Sequence, residues 1–298
     1  VVEEIPSYGP SGAGGHVLAT IEKRDLTTPE AVRRTAAALG VRANDVGAAG
    51  MKDRHAVTRQ QISLPPPVAP EAVLGVAVEG VHVLSAARHP HKLRTGHLAG
   101  NRFVVVVREL AVPAPEAEAR ARAILARLAP PPGLPNFYGA QRFGAEGDNA
   151  ALGRALVLGE RVRAGPRERR LYVSAYQSAL FNRYLEARLA DGRYASAIAG
   201  DLLRHGTPTG PMFGTDMPRP AEGTEAAARE SAILAAEGLA LEDFARVGRL
   251  ATGTRRPIGV PLGEASARAT DDGALELRFT LPAGSYATVL ADHIVKPC

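Results

Sequence analysis

Alternation of apolar and polar positions marks the first half of the chain. Residues 16–22 (HVLATIE) read as a strand, and residues 57–64, β-branched and partly alternating, predict another that Pro65, Pro66 and Pro67 stop. Residues 81–86 and 102–108 predict two more, the second apolar enough to lie inside a sheet with both faces covered. Helices separate these strands. Thr28 is placed as the cap of a helix with Pro29 at its first position and Gly40 at its end. Residues 115–129, rich in Ala, Glu and Arg, predict a second helix that ends at the Pro-Pro-Pro-Gly of residues 130–133.

Past Gly144 the pattern becomes helical. Residues 149–159, 170–189 and 224–238 predict helices, and the Gly- and Pro-rich residues 206–223 read as a separating stretch. Strand character then returns, with Leu275, Leu277 and Phe279 alternating with Glu276, Arg278 and Thr280, before residues 282–285 cap a terminal helix. A strand-and-helix core that is interrupted by helices and then resumed predicts an inserted domain. No repeat of ~20–50 residues is visible.

Composition narrows the class. The 298 residues are 45% hydrophobic and 22% charged, ordinary for a globular chain of about two domains. Apolar runs such as residues 103–107 fall far short of the ~20 residues that span a bilayer, so a soluble protein with no membrane association is expected. A formal charge of +5 is compatible with a polyanionic partner. The only cysteine, Cys298, allows neither an internal disulfide nor a CxxC pair, which predicts a reducing compartment. The chain opens Val1-Val2-Glu3-Glu4 with no signal segment and no Met, and is expected to start inside its natural N-terminus.

Three clusters carry candidate chemistry. Residues 50–60 set Asp53 among Lys52, Arg54, His55 and Arg59 just before a strand, where a loop can present a carboxylate that neighbouring cations keep ionised for nucleophilic work. A solvated turn with surface ion pairs explains the same residues. Residues 135–144 gather Phe137, Tyr138 and Phe143, three of fourteen aromatics, with Asn136, Gln141 and Arg142. Such a set can stack a flipped base and bond its edge, or merely anchor a loop. Residues 88–102 hold Arg88, Lys92, Arg94 and Arg102 with no acid, which points to RNA phosphates; their histidines lack a fourth ligand, and no metal site is expected. Two further basic runs, Arg161 to Arg170 and Arg246 to Arg256, the latter including Arg255 and Arg256, strengthen a phosphate-tracking reading, although each alone is explained as a solvated face. P-loop, HExxH, GxSxG and dinucleotide spacings are absent, so no cofactor is expected.

Five blocks in order, residues 49–60 (AGMKDRHAVTRQ), 92–103 (KLRTGHLAGNRF), 136–144 (NFYGAQRFG), 174–182 (SAYQSALFN) and 281–288 (LPAGSYAT), resemble the TruD family of tRNA pseudouridine synthases. The resemblance implies an α+β fold: a pseudouridine synthase core with a mixed, mainly antiparallel sheet, over residues 1–154 and 256–298, into which a mostly helical family-specific domain, residues 155–255, is inserted. It implies a cofactor-independent isomerase of uridine in tRNA, cytoplasmic and monomeric, with position 13 of tRNA as target. Residue by residue, the catalytic aspartate falls on Asp53, the base-stacking aromatic on Tyr138 (commonly Phe in the family) and the pocket asparagine on Asn136. Lys52, Arg54, Gln60, Arg142 and Phe143 are the further substrate-side candidates, with Arg88, Lys92, Arg94, Arg102, Arg255 and Arg256 on the RNA backbone. A lysine and a phenylalanine of the family pattern would precede Val1. Two other classes fit the residues: an RNA-binding protein without catalysis, and a glycosylase in which a carboxylate attacking C1′ leads to hydrolysis.

Overall fold

A computed structural model describes residues 1–295; Cys298, on which the thiol argument turns, lies outside them. In chain order the strands and helices are β1 (Val2–Pro6), β2 (His16–Lys23), α1 (Thr28–Ala38), β3 (Gly47–Ala48), β4 (Thr58–Leu64), α2 (Pro70–Leu74), β5 (Val81–His89), β6 (Leu98–Val107), α3 (Ala114–Leu128), β7 (Leu134–Pro135), α4 (Asn149–Leu158) and α5 (Pro166–Ala190). They continue with β8 (Leu203–Arg204), β9 (Thr207–Met212), α6 (Glu225–Ala236), β10 (Thr254–Pro257), β11 (Gly259–Val260), β12 (Gly263–Ala269), β13 (Leu275–Pro282) and α7 (Ala287–Val295). By packing, residues 1–123 with 263–284 form one compact unit, and residues 124–262 with 285–295 form the other.

The first unit is built on an eight-stranded sheet in the order β12-β13-β6-β1-β4-β2-β5, with β3 beside β4. Only β1 and β4 run parallel; the other pairs are antiparallel, which is the mixed, mainly antiparallel α+β arrangement expected. The period-2 geometry of β2 sends Val17, Ala19 and Ile21 to one face, where they pack with Ala31 and Ala36 of α1, Ile62 and Leu64 of β4, and Val73 of α2. Leu18 points the other way and packs with Ala49 and Leu93. The next residue on the core face is Lys23, which is 0% exposed.

Two expectations change here. The cap of α1 is Thr27, whose side chain accepts from the Glu30 N–H while the Glu30 carboxylate accepts from Thr27 N at 2.7 Å, a reciprocal capping box. Thr28 therefore sits inside the helix with its hydroxyl free for another task. Strand β6 does lie inside the sheet, but its face is not fully covered: Val106 is 42% exposed, because an antiparallel sheet needs only one buried face. Strands β1 and β12 had no expectation; β12 carries Ala, Ser and Arg, and only Ala267 of it is buried.

In the second unit α5 is the central element. Val173, Tyr176 and Leu180 pack with Leu156 and Val157 of α4 and with Phe213 and Phe244, and Phe181, Tyr184 and Leu185 pack with Met212 and Ile258. α5 begins at Pro166, four positions before the expected start, since proline at the first helical position needs no N–H partner. The stretch read as a Gly- and Pro-rich separator contains β9, paired with β10 and β8 in a three-stranded sheet. Pro208 and Pro211 are tolerated because so small a sheet asks for few ladder N–H donors. Residues 124–154 and 256–262 join this unit rather than the sheet, because α4 packs along α5 and β7 pairs with β11. The packing boundaries thus differ from the sequence boundaries at 154/155 and 255/256.

Candidate functional site

In the first unit the candidate carboxylate stands on the loop between β3 and β4. Asp53 is exposed, and its two chain neighbours, Lys52 and Arg54, are tied down. The Lys52 N–H donates to Thr28 Oγ1 at 2.9 Å, and that hydroxyl donates in turn to Gln60 Oε1 at 3.0 Å. The Lys52 ammonium donates to Glu4 Oε1 at 2.6 Å in an almost fully buried ion pair, while Glu4 Oε2 accepts from the Gln61 N–H at 3.0 Å. Arg54 pairs with Glu30 at 2.6 Å. Hydrogen bonds from Thr27, and the Arg54 guanidinium after them, hold the Glu30 carboxyl down at about 2, so it is an anion at neutral pH.

Lys23 braces Asp53 itself from below. Its ammonium donates to the Asp53 carbonyl at 2.7 Å and to the Leu26 carbonyl at 2.6 Å. Burial pulls the Lys23 pKa below lysine's ordinary value, and the negative charge of Asp53 is the largest influence opposing that fall. Lys23, a residue sequence reading did not select, is thus the buried cation that holds the Asp53 backbone. Lys52 and Arg54 are spent on Glu4 and Glu30. Gln60, expected at the substrate, is 1% exposed and serves beneath the loop by holding Thr28; its Nε2 is buried without a partner.

In the second unit the aromatic cluster follows β7. Tyr138 is half-buried and locked by Asn182 of α5, whose Oδ1 accepts from the Tyr138 N–H at 2.9 Å and whose Nδ2 donates to the Tyr138 carbonyl at 3.0 Å. Its ring meets Phe181 edge-on at 5.9 Å and Tyr286 at 5.8 Å. Gly139 permits this closeness: a Cβ there would lie 3.0 Å from the Tyr286 ring and 2.8 Å from Thr288 Oγ1. The Arg256 guanidinium stacks over Tyr138 at 4.1 Å from the ring centre, and its Nε donates to the Asn136 carbonyl at 3.2 Å. Desolvation pulls the Arg256 pKa below arginine's ordinary value. Asn136 is 5% exposed and donates to the Pro257 carbonyl at 2.9 Å. Arg142 donates to Ser178 Oγ at 3.1 Å and to Ser174 Oγ, with its guanidinium 5.6 Å from the Tyr138 ring centre. Phe143 is half-buried in the short turn that follows.

The expected basic surface is thinned by these placements. Arg255 and Arg256 are neighbours on β10, so their side chains leave opposite faces and neither tracks a surface. Arg255 is 9% exposed, bonded to Glu230 at 2.6 Å and to the Thr209 carbonyl. Arg102 is exposed but bridges Glu3 and Glu264, and Arg88 donates to the Val68 carbonyl at 3.0 Å. Lys92 and Arg94 make no ion pair among the described residues. Tyr286, Asn182 and Ser174 were not selected from sequence, although all three lie in the recurring blocks.

The signature of the family described as tRNA pseudouridine synthase D (TruD) matches residues 1–165, 163–206 and 204–294. The chain belongs to the TruD family. The tRNA pseudouridine synthase D of Anaeromyxobacter dehalogenans is 45% identical over 324 residues, covering 99% of this chain and 90% of the relative. That of a Thermus thermophilus strain is 39% identical over 317 residues, covering 99% and 86%. A solved TruD structure from Methanosarcina mazei shares the fold, with a TM-score of 0.78 over 99% of this chain and 91% of that one at 20% identity. TruD proteins are isomerases that turn uridine into pseudouridine, so this chain is an enzyme of RNA modification. Among its described residues no helix is long and apolar enough to cross a membrane.

Proposed function

We propose that the protein isomerises a uridine of tRNA, that at position 13, with Asp53 as the essential carboxylate. Membership of the TruD family along nearly the whole chain carries this reading. The braced loop supports it locally, because a carboxylate that must meet a reacting carbon gains from fixed geometry. The reaction breaks the bond from C1′ to N1, turns the uracil and joins C1′ to C5; C5 gives up its proton and N1 takes one, so no electrons and no group enter or leave. An ionised Asp53 can attack C1′, add to C6 of the ring, or take the C2′ proton, and each route needs the same residue.

Tyr138 is the aromatic proposed to stack the extruded base, with Asn136 and Arg256 fixing its ring and Arg142 beside it. Stacking returns ~1–3 kcal/mol per base, against a few kcal/mol for unstacking. Tyr138→Leu should lower turnover by roughly tenfold to a hundredfold while changing tRNA affinity little. Steady-state kinetics beside a binding titration check this, and equal losses in both would remove the stacking role.

The reading as a whole is tested by tritium release from tRNA labelled at C5 of uridine, followed by mapping of the modified position. Pseudouridine at position 13 is expected. Free uracil in the product would instead reveal a glycosylase, and tRNA binding without tritium release would reveal a binding protein.

A further inference from the structure

One cavity of the first unit is used by nothing described so far. It has a volume of 610 Å³ and lies between Tyr8, the start of β2 at His16, and the β5–β6 loop that carries His91, Lys92, Arg94 and His97. That volume suits a nucleotide-sized group. No carboxylate is among its lining residues. Several exposed arginines elsewhere in the unit are neutralised: Arg59 by Glu22, Arg54 by Glu30, Arg102 by Glu3 and Glu264, Arg108 by Asp272. Here two cations stay uncompensated. The Lys92 ammonium donates to the Asn44 carbonyl at 2.6 Å, a neutral partner, and the Arg94 guanidinium has no partner among the described residues.

The histidines add oriented donors. His97 Nδ1 lies 2.6 Å from the Tyr8 hydroxyl and 3.4 Å from the Arg94 N–H. A backbone N–H only donates, so Nδ1 is the accepting nitrogen and the ring proton sits on Nε2. Tyr8 is itself held flat against His89, ring centres 5.2 Å apart and planes 5° from parallel. The wall is thus a rigid Tyr8–His89 stack that aims His97 as a donor, with Lys92 and Arg94 as fixed positive charges. Fixed cations and an oriented donor with no carboxylate beside them make an anion site.

Its place relative to the candidate carboxylate is also fixed. The Gly96 N–H donates to the Ala49 carbonyl at 2.8 Å, and the Leu93 N–H donates to Ser63 Oγ on β4 at 2.8 Å. Gly47 lets the two segments touch, since a Cβ there would stand 2.2 Å from the Leu93 carbonyl oxygen. The cavity rim and the loop of Asp53 are therefore parts of one stapled structure.

We propose that this cavity is a phosphate station for the RNA strand flanking the target uridine, in which Lys92, Arg94 and His97 hold a phosphodiester. The inference rests on the proposed activity toward tRNA. Each phosphate contact contributes about one to the slope of log affinity against log salt, so Lys92→Gln and Arg94→Gln should each lower that slope for tRNA by about 1. The loss should fall on KM, several-fold, rather than on kcat. Tyr8→Phe keeps the stack but drops the hydroxyl that orients His97, and should raise KM less. Arg120→Gln, which removes a cation already paired with Glu116 on α3, should change neither quantity. Wild-type slope and KM in both Lys92→Gln and Arg94→Gln would overturn the inference while leaving pseudouridine formation intact. If the wild-type protein forms no pseudouridine, the functional reading falls instead, and the slopes still decide whether the cavity takes RNA.

Discussion

Asp53→Asn should reduce tritium release from uridine-labelled tRNA by on the order of 10²–10⁴-fold or more, with tRNA affinity unchanged within about twofold. The substitution keeps the shape of the side chain and removes only its charge and basicity. None of the hydrogen bonds that brace the loop uses the Asp53 carboxylate: Lys23 holds the Asp53 carbonyl, Thr28 the Lys52 N–H, and Glu30 the Arg54 guanidinium. The fold around residue 53 should therefore persist in the variant, and thermal melts should overlay. Single-turnover assays with saturating enzyme separate this from weakened binding. Turnover close to wild type would remove Asp53 from the chemistry, whichever route of attack is considered.

Lys23→Met should lower kcat by about a hundredfold with little change in KM, because displacement of a reacting group by about 1 Å costs that much. Lys23 is wholly buried and has no carboxylate within hydrogen-bonding contact among the described residues; its ammonium is held by the Asp53 and Leu26 carbonyls. Methionine fills nearly the same volume. It leaves two carbonyls without their donor, at ~1–3 kcal/mol each. It also removes a desolvated charge, which offsets part of that loss. Modest destabilisation with a large kcat effect is the expected signature of a positioning residue. Lys23→Arg keeps the charge and a donor, and should recover part of kcat. Amide exchange over residues 50–56 should quicken in Lys23→Met, while exchange in the α1 core residues Ala31 and Ala36 stays slow. A variant that melts earlier yet keeps its kcat would reduce Lys23 to a structural role.

Much of the framework was legible along the chain. Strands β2, β4, β5, β6 and β13 and helices α1, α3, α4, α5, α6 and α7 follow from alternation, helical spacing, prolines and caps, since those signals act over a few residues. What escaped depended on pairing partners far away. Strand β9 looks like a loop by composition and exists because β10 pairs with it. Strand β1 is too short to signal itself, and is specified by β6 on one side and β4 on the other.

The candidate site divides in the same manner. Asp53, Tyr138 and Asn136 were singled out because their blocks carry unusual combinations of side chains and resemble one family in order. Lys23 carried a weaker signal, as the fourth member of the Val17, Ala19, Ile21 face, where a lysine among core residues asks for a reason. Arg255 and Arg256 show the opposite error: two adjacent arginines look like a basic surface until β10 turns one toward Glu230 and the other toward Tyr138.

By itself, then, the sequence determined the family and the fold class and singled out the carboxylate proposed for the chemistry, because chemistry and periodicity are local properties of a chain. Tertiary structure alone decided which cations are neutralised and which remain available. Charge in a sequence is only a count, and its effect depends on what folding places within a few ångströms. Glu4, Glu30 and Glu264 come from segments remote from the cations they quench, whereas no carboxylate reaches Lys92 or Arg94 among the described residues. That difference, made by strand pairing, separates the cations that brace the loop from those proposed to meet RNA.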